Sequence, residues 1–217
     1  LDPSRSGFPR LLVEGLSDDP REHWATAALE ADVMLFRADT GGWRPGEPGL
    51  TFAHWIEDGH PELGWPTAED FDYHLTTLFL EVRPRGFLEI RTGEAVPGRF
   101  RPAPIAFTVG LMYDDRAREA ALARLEPLRG RLPELWRTAA RVGVRDPELA
   151  GLATELWETA LDGMTRLPHG YLGERDLAVA RGFMERFTAR GRMPADEIVE
   201  ALAESPAAAL SWSRAVG

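Results

Sequence analysis

The sequence predicts an α+β fold, with short antiparallel strands followed by a mostly helical layer. Three observations predict it. Residues 1–100 are rich in Gly, Pro and Trp and mix short helical patterns with short strand-like runs. From about Pro102 to Ala209 apolar residues recur at helical spacing. The runs Asp32 to Arg37 and Phe87 to Arg91 are short, apolar in alternation or throughout, and read as strands.

The elements follow in order. Asp19-Pro20 starts the first helix, an Asp cap followed by Pro at the first helical position. Trp24, Ala28 and Leu29 share one side of it. Asp32 to Arg37 is a buried strand, and Asp39-Thr40-Gly41-Gly42 is a hairpin signal. Thr51 caps a short helix carrying Phe52, Trp55 and Ile56. Thr67 to Asp70 is a capping box with Asp in place of the usual Glu or Gln, and it opens a helix through Tyr73, His74 and Thr77. Five further helices are predicted: Ala103 to Tyr113, Arg116 to Leu125, Pro133 to Arg141, one starting at Asp146-Pro147, and Glu174 to Arg190 closed by Gly191. Leu149, Leu152, Leu156 and Ala160 mark the apolar stripe of the fourth of these. Pro194 to Glu204 is the last helix, followed by a Ser/Ala tail.

Composition narrows the function. Over 217 residues, 25 basic against 35 acidic side chains give a formal charge of −10, which argues against general nucleic-acid binding. No cysteine is present, so a disulfide scaffold, a thiolate zinc site and a cysteine nucleophile are excluded. No apolar run reaches the ~18–20 residues of a membrane span. No signal peptide opens the chain, and a cytoplasmic location is expected. The first residue is Leu1, followed by Asp2-Pro3-Ser4-Arg5-Ser6-Gly7, which reads as the middle of a longer chain.

The densest polar cluster runs from His74 to Arg91. On its strand Phe87, Glu89 and Arg91 share one face, while Leu88 and Ile90 share the other and are expected to seal against a helical layer. Arg83 and Arg85 add two cations just before it. A carboxylate suits a divalent cation, and guanidiniums bind phosphate oxygens bidentately. A solvent-facing Glu/Arg pair gives the same pattern, so the residues alone leave both readings open.

This stretch resembles the plant-type and actinobacterial glutamate–cysteine ligases, whose actinobacterial branch feeds ergothioneine synthesis. The family shows His-Leu-Thr-Thr-(Leu/Ile)-Phe-Pro-Glu-Val-Arg, a basic residue, an aromatic, and Leu-Glu-x-Arg. Residues 74–91 have all of this except Leu80, where the family has Pro. Other landmarks occur in the same order: Asp2 to Gly7 for Asp-x-x-Arg-Thr-Gly, Val33 to Arg37 for the central strand, Leu50-Thr51-Phe52 for Met-Ser-Phe, Gly110 to Asp115 for Gly-Leu-Leu-Tyr-Asp-Asp, and Ala189 to Ala195 for Gly-x-Thr-Pro-Ala. The resemblance covers roughly residues 1–200.

The resemblance implies the C-terminal part of a glutamine-synthetase-like fold. Residues 1–100 are then a partial catalytic sheet with the metal/phosphate strand, and residues 101–217 a helical region behind it, together one incomplete domain. It implies that ATP phosphorylates the γ-carboxylate of L-glutamate and that the amine of L-cysteine attacks the γ-glutamyl phosphate, serving glutathione or ergothioneine synthesis. ATP and Mg²⁺ are the implied cofactors. Glu89 maps to a metal ligand, and Arg91 to the catalytic phosphate contact. Arg83 and Arg85 map to nucleotide contacts or to orienting the strand, and Arg5 to the substrate carboxylate. His74, Thr76 and Thr77 are expected to fix the turn into the strand by hydrogen bonds. After Arg91 the family shows an acidic loop, where this chain has Thr92-Gly93-Glu94. The family's N-terminal half, with its Gly-x-Glu-x-Glu strand, is the implied missing partner, and the 217 residues are expected to be inactive alone. Rival readings are a carboxylate–amine ligase with another amine acceptor and a non-catalytic domain that keeps the fold.

Other residues carry less. His23, His54, His60 and His169 lack metal spacing and read as surface or packing residues. Trp24, Trp55, Trp136 and Trp157 read as core, and Trp43 and Trp65 sit in Gly/Pro-rich loops. No Gly-rich phosphate loop is present. Arg137, Arg141 and Arg145 read as a solvated stripe.

Overall fold

The computed structural model describes residues 19–37, 41–93 and 95–214. The chain divides into two units, residues 1–92 and 93–217. The first holds α1 (Pro20–Leu29), β1 (Leu35–Arg37), β2 (Trp43–Pro45), α2 (Phe52–Asp58), α3 (Ala68–Thr77), β3 (Val82–Pro84) and β4 (Leu88–Ile90). The second holds α4 (Pro102–Tyr113), α5 (Asp115–Leu125), α6 (Leu132–Val142), α7 (Pro147–Arg166), α8 (Glu174–Arg186), α9 (Pro194–Glu204) and α10 (Pro206–Arg214). Helices with two small antiparallel sheets make an α+β chain. No described helix is long and apolar enough to cross a membrane.

The helix starts follow the cap chemistry. Asp19 accepts from the Arg21 N–H at 2.9 Å, and Thr51 accepts from His54 at 3.1 Å. Thr67 and Asp70 close a full capping box, with the Asp70 carboxylate accepting the Thr67 N–H at 2.8 Å and the Thr67 hydroxyl accepting the Asp70 N–H. Asp146 accepts from both Glu148 and Leu149 at 3.0 Å. Each bond satisfies an N–H that the first helical turn leaves without an internal partner.

Two small cores hold the first unit. Val33, Phe36, Phe52 and Trp55 form one, with the Phe36 ring edge-on to Trp55 at 4.9 Å. Ala28, Ala31, Leu78 and Leu80 form the other. Leu80 stands where the resembled motif has Pro, and it is 1% exposed in this apolar cluster. β1 pairs with β2 as a hairpin, Phe36 opposite Arg44. β1 is shorter than the predicted strand. Asp32 instead makes an isolated bridge to Thr51, and Gly46 passes so close that a Cβ there would lie 1.6 Å from the Val33 carbonyl oxygen.

The core of the second unit lies between α4, α7 and α8, with Ala103, Ala106, Trp157, Met164 and Ala180 buried. α4 and α7 cross through glycine. A Cβ on Gly110 would lie 2.3 Å from the Ala160 carbonyl oxygen, and one on Gly163 would lie 2.5 Å from the Gly110 carbonyl oxygen. The buried stripe of α7 is Trp157, Ala160, Gly163 and Met164; Ala160 belongs to the predicted stripe, and the predicted leucines flank it. Packing against a glycine needs a small surface, and Leu149, Leu152 and Leu156 are left partly covered. Asp114 caps α5 through the Ala117 N–H at 2.8 Å and accepts two bonds from Arg166. Those donors, Arg166 first, hold its carboxyl at about 2, below the usual 3.8.

The predicted Ser/Ala tail is a helix, α10. Pro206 occupies its first position, the Ser205 hydroxyl accepts the Ala208 N–H at 3.0 Å, and alanine is the best helix former. Its Trp212 ring covers the Arg99 guanidinium at 4.3 Å and donates from Nε1 to Glu197 at 2.9 Å.

Candidate functional site

β3 and β4 form an antiparallel hairpin with Val82 opposite Ile90, Arg83 opposite Glu89 and Pro84 opposite Leu88. Gly86, at φ +77°, makes the tight connection that an L side chain would strain. Directly opposed residues of an antiparallel pair project to one face. Arg83 therefore meets Glu89, its Nε donating at 2.9 Å and its Nη2 at 2.7 and 3.1 Å to the two carboxylate oxygens. Arg91 Nε stands 3.8 Å from the same carboxylate. The Arg83 bonds, with the neighbouring guanidiniums, keep the Glu89 carboxyl below its ordinary range, so it is ionised at neutral pH.

Arg91 is tied down separately. Its Nη1 donates to the Leu78 carbonyl at 2.7 Å, and its guanidinium lies 5.4 Å from the Phe79 ring centre. Its N–H donates to the Glu81 carbonyl at 2.8 Å, extending the hairpin pairing by one residue. Trp24 holds the other strand, its indole N–H donating to the Val82 carbonyl at 3.1 Å. Arg85 lies exposed in the turn. Three guanidiniums against one carboxylate leave a formal charge of +2 over residues 83–91.

The opposite face differs from its expectation. Leu88 is 63% and Ile90 43% exposed, so no described helix of the first unit seals them. A two-stranded sheet has two faces, and the described helices of this unit spend their apolar residues on the two small cores instead.

His74, Thr76 and Thr77 lie at the end of α3. The buried His74 donates from Nε2 to the Ala28 carbonyl at 2.8 Å and lies 4.8 Å from the Phe52 ring, tying α3 to α1. Burial pushes its pKa down, against the opposing pull of the Ala28 carbonyl, and keeps it neutral. Thr76 and Thr77 donate to the carbonyls of Tyr73 and His74, three residues back, at 2.7 and 2.8 Å. Arg5 lies outside the described residues, as does the Asp2 to Gly7 segment. Among the other histidines, His60 is buried, with its Nδ1 accepting from the Glu62 and Leu63 N–H groups. Trp43 is exposed and stacks on Tyr73 at 4.8 Å.

Sequence reasoning passed over Glu81. It is half-buried, and burial pushes its carboxyl above the ordinary range. The signal was a doubled pattern: Glu81-Val82-Arg83 and Glu89-Ile90-Arg91 are the same Glu-x-Arg, facing each other across the hairpin. A hollow of about 470 Å³ elsewhere in this unit is lined by apolar side chains such as Leu29, Phe52, Ile56 and Phe71, and offers phosphate no cation.

The donors fit a phosphate better than a bare metal ion. Guanidinium forks match phosphate oxygens, and a carboxylate is the right kind of Mg²⁺ ligand. Yet among the described residues no group of three His, Cys, Asp or Glu side chains converges, and Glu89 is already engaged by Arg83. By themselves these residues do not make a divalent-cation site.

The hairpin carries more guanidinium than carboxylate, a surface able to accept an anion. Residues 1–210 match the glutamate-cysteine ligase family 2 (GCS2), and the chain belongs to that family. It is 38% identical over 205 residues to glutamate–cysteine ligase EgtA of Mycolicibacterium smegmatis, covering 88% of this chain and 45% of that protein. It is 40% identical over 152 residues to EgtA of Mycobacterium tuberculosis, 69% of this chain and 33% of that protein. It is 34% identical over 147 residues to the chloroplastic glutamate–cysteine ligase of Arabidopsis thaliana, 62% of this chain and 28% of that protein. The chain spans less than half the length of these relatives.

Proposed function

We propose that this chain is part of an ATP-dependent enzyme joining the γ-carboxylate of L-glutamate to the amine of L-cysteine. The observation that carries this reading is the set Arg83, Glu89 and Arg91, with Arg85 beside it, on one hairpin of a GCS2 family member. In the proposed reaction a carboxylate oxygen of glutamate takes the γ-phosphoryl group and ADP leaves. The cysteine nitrogen then attacks the acyl carbon, loses a proton, and inorganic phosphate departs.

Arg91 is proposed to hold the oxygens of the transferred group, because fixed cations stabilise charge that spreads over them. Its bond to the Leu78 carbonyl and its place over Phe79 fix it before substrate arrives. Arg83 and Arg85 are proposed to serve the nucleotide phosphates. Arg5 is proposed to hold the substrate glutamate's carboxylate. Mg²⁺, when bound with the nucleotide, neutralises phosphate charge. Glu89 would offer it a single carboxylate, which is not a site by itself. We place the hairpin in a glutamine-synthetase-like sheet and the enzyme in the cytoplasm.

The test is ADP release with glutamate and cysteine. The 217 residues alone are expected to release none, and robust turnover by them would overturn the reading that the site needs further residues. In the full-length enzyme Glu89→Gln is expected to abolish turnover. Activity at the wild-type level would overturn the site.

A further inference from the structure

The two outer edges of the β3–β4 hairpin are not alike. The bonds at its two ends, Arg85 N–H to the Phe87 carbonyl and Arg91 N–H to the Glu81 carbonyl, both at 2.8 Å, set the alternation between them. Arg83 and Glu89 therefore pair inward. The backbone groups of Val82 and Pro84 turn outward on β3, and those of Leu88 and Ile90 turn outward on β4. The β3 edge is closed off. The Trp24 indole N–H donates to the Val82 carbonyl at 3.1 Å, and Pro84 has no N–H to offer a neighbouring strand. The β4 edge has neither device. Among the described residues no hydrogen bond reaches the outward backbone groups of Leu88 or Ile90.

The side chains add a second, independent observation. Val82, Leu88 and Ile90 share the face away from Arg83 and Glu89, and all three are exposed. A two-stranded ribbon is marginal in water by itself, and a third strand is what steadies it. Proteins that leave a strand edge permanently in solvent guard it, as β3 is guarded here. An unguarded edge beside an apolar face suits an extended segment whose own apolar residues alternate onto that face. The chain spans less than half the length of its relatives, so the enzyme has further residues to supply that segment.

We infer that β4 is an inner strand of the complete enzyme. Its outer edge pairs with a strand from the residues that the relatives have beyond this chain, and that strand sets apolar side chains beside Leu88 and Ile90. The sheet grows from β4 and not from β3. This deepens the placement of the hairpin in a larger sheet and rests on that placement, not on the ligase chemistry.

Amide hydrogen exchange, resolved to single residues in the 217-residue chain and in the full-length enzyme, tests it. In the 217-residue chain the Val82, Leu88 and Ile90 amides are expected to exchange freely. In the full-length enzyme Leu88 and Ile90 are expected to slow at least about 100-fold, and Val82 to stay as it was. Leu88→Pro removes one outward N–H and none of the bonds inside the hairpin. In the full-length enzyme it is expected to speed exchange at Ile90 at least about tenfold, while the urea midpoint of the 217-residue chain stays nearly unchanged. The wild-type comparison decides if that variant does not fold. Protection at Val82 puts a strand on β3 and overturns the inference, while the larger sheet stands. Protection at neither edge overturns the larger sheet as well. Protection of Leu88 and Ile90 that appears in the 217-residue chain and rises with its concentration makes the occupant a second copy, and overturns the inference too. So does an Ile90 amide that stays protected in Leu88→Pro, because the slowing would then come from burial without pairing.

Discussion

In the second unit α4 and α7 meet backbone to backbone at Gly110 and Gly163, behind a buried Trp157. In the first unit the hairpin with Arg83, Glu89 and Arg91 hangs on a Trp24 indole and an Arg91 side chain, its Leu88 and Ile90 bare. One region is built so that a single added methyl group is felt. The other carries charge on a short, lightly held element. Charged groups on such an element change partners more easily than groups locked in a core, because little packing must be broken. Stability is therefore expected to answer to the second region and chemistry to the first.

The largest expected effect tests the chemical half of this contrast. Glu89→Gln in the full-length enzyme should lower turnover by roughly 10² to 10³ or more, while the urea midpoint of the 217-residue chain stays nearly where it was. A large midpoint shift would make Glu89 a structural residue and break the comparison. Gly110→Val tests the other half. Three carbons placed against the Ala160 carbonyl force α4 and α7 apart, at a cost of about 3 kcal/mol, measured by urea unfolding. A loss below about 0.5 kcal/mol would mean that the crossing yields freely.

Trp24→Phe removes the indole N–H from the Val82 carbonyl and keeps most of the ring. About 1 kcal/mol should be lost, with faster amide exchange at Arg85 and Arg91, whose N–H groups donate across the hairpin. Unchanged exchange would show that the hairpin does not depend on that tether. The smallest effect is read as a slope. Asp114 has its carboxyl held at about 2, below 3.8, by Arg166 and the Ala117 N–H. A depressed carboxyl contributes stability above its unfolded value, and that contribution fades as pH falls from about 4 toward 2. Asp114→Asn should flatten the stability profile across that window, and an unchanged profile would remove Asp114 from the account.

The sequence read best where a few adjacent residues settle the outcome. The caps at Asp19, Thr51, Thr67 and Asp146 are local chemistry, and each forms its bond. The pairing of Arg83 with Glu89 was less legible, because it depends on register across the hairpin and not on spacing along one strand. Glu81 escaped because burial, which sets its proton affinity, comes from chain distant in sequence. The Ser/Ala tail hid α10, whose hold on the core runs through Trp212 and Arg99, 113 residues apart. Leu88 and Ile90 alternate as a buried face should, but alternation says which residues share a face and nothing about what covers it.

The meeting of Gly110 and Gly163 also bears on time. Where two helices touch backbone to backbone, rotating a neighbouring side chain opens little path between them. Water reaches the amides at that crossing only when the helices part as whole bodies. Their exchange rate with solvent is then a clock for the complete opening of the second unit, whereas amides of the bare hairpin report only its own brief fraying.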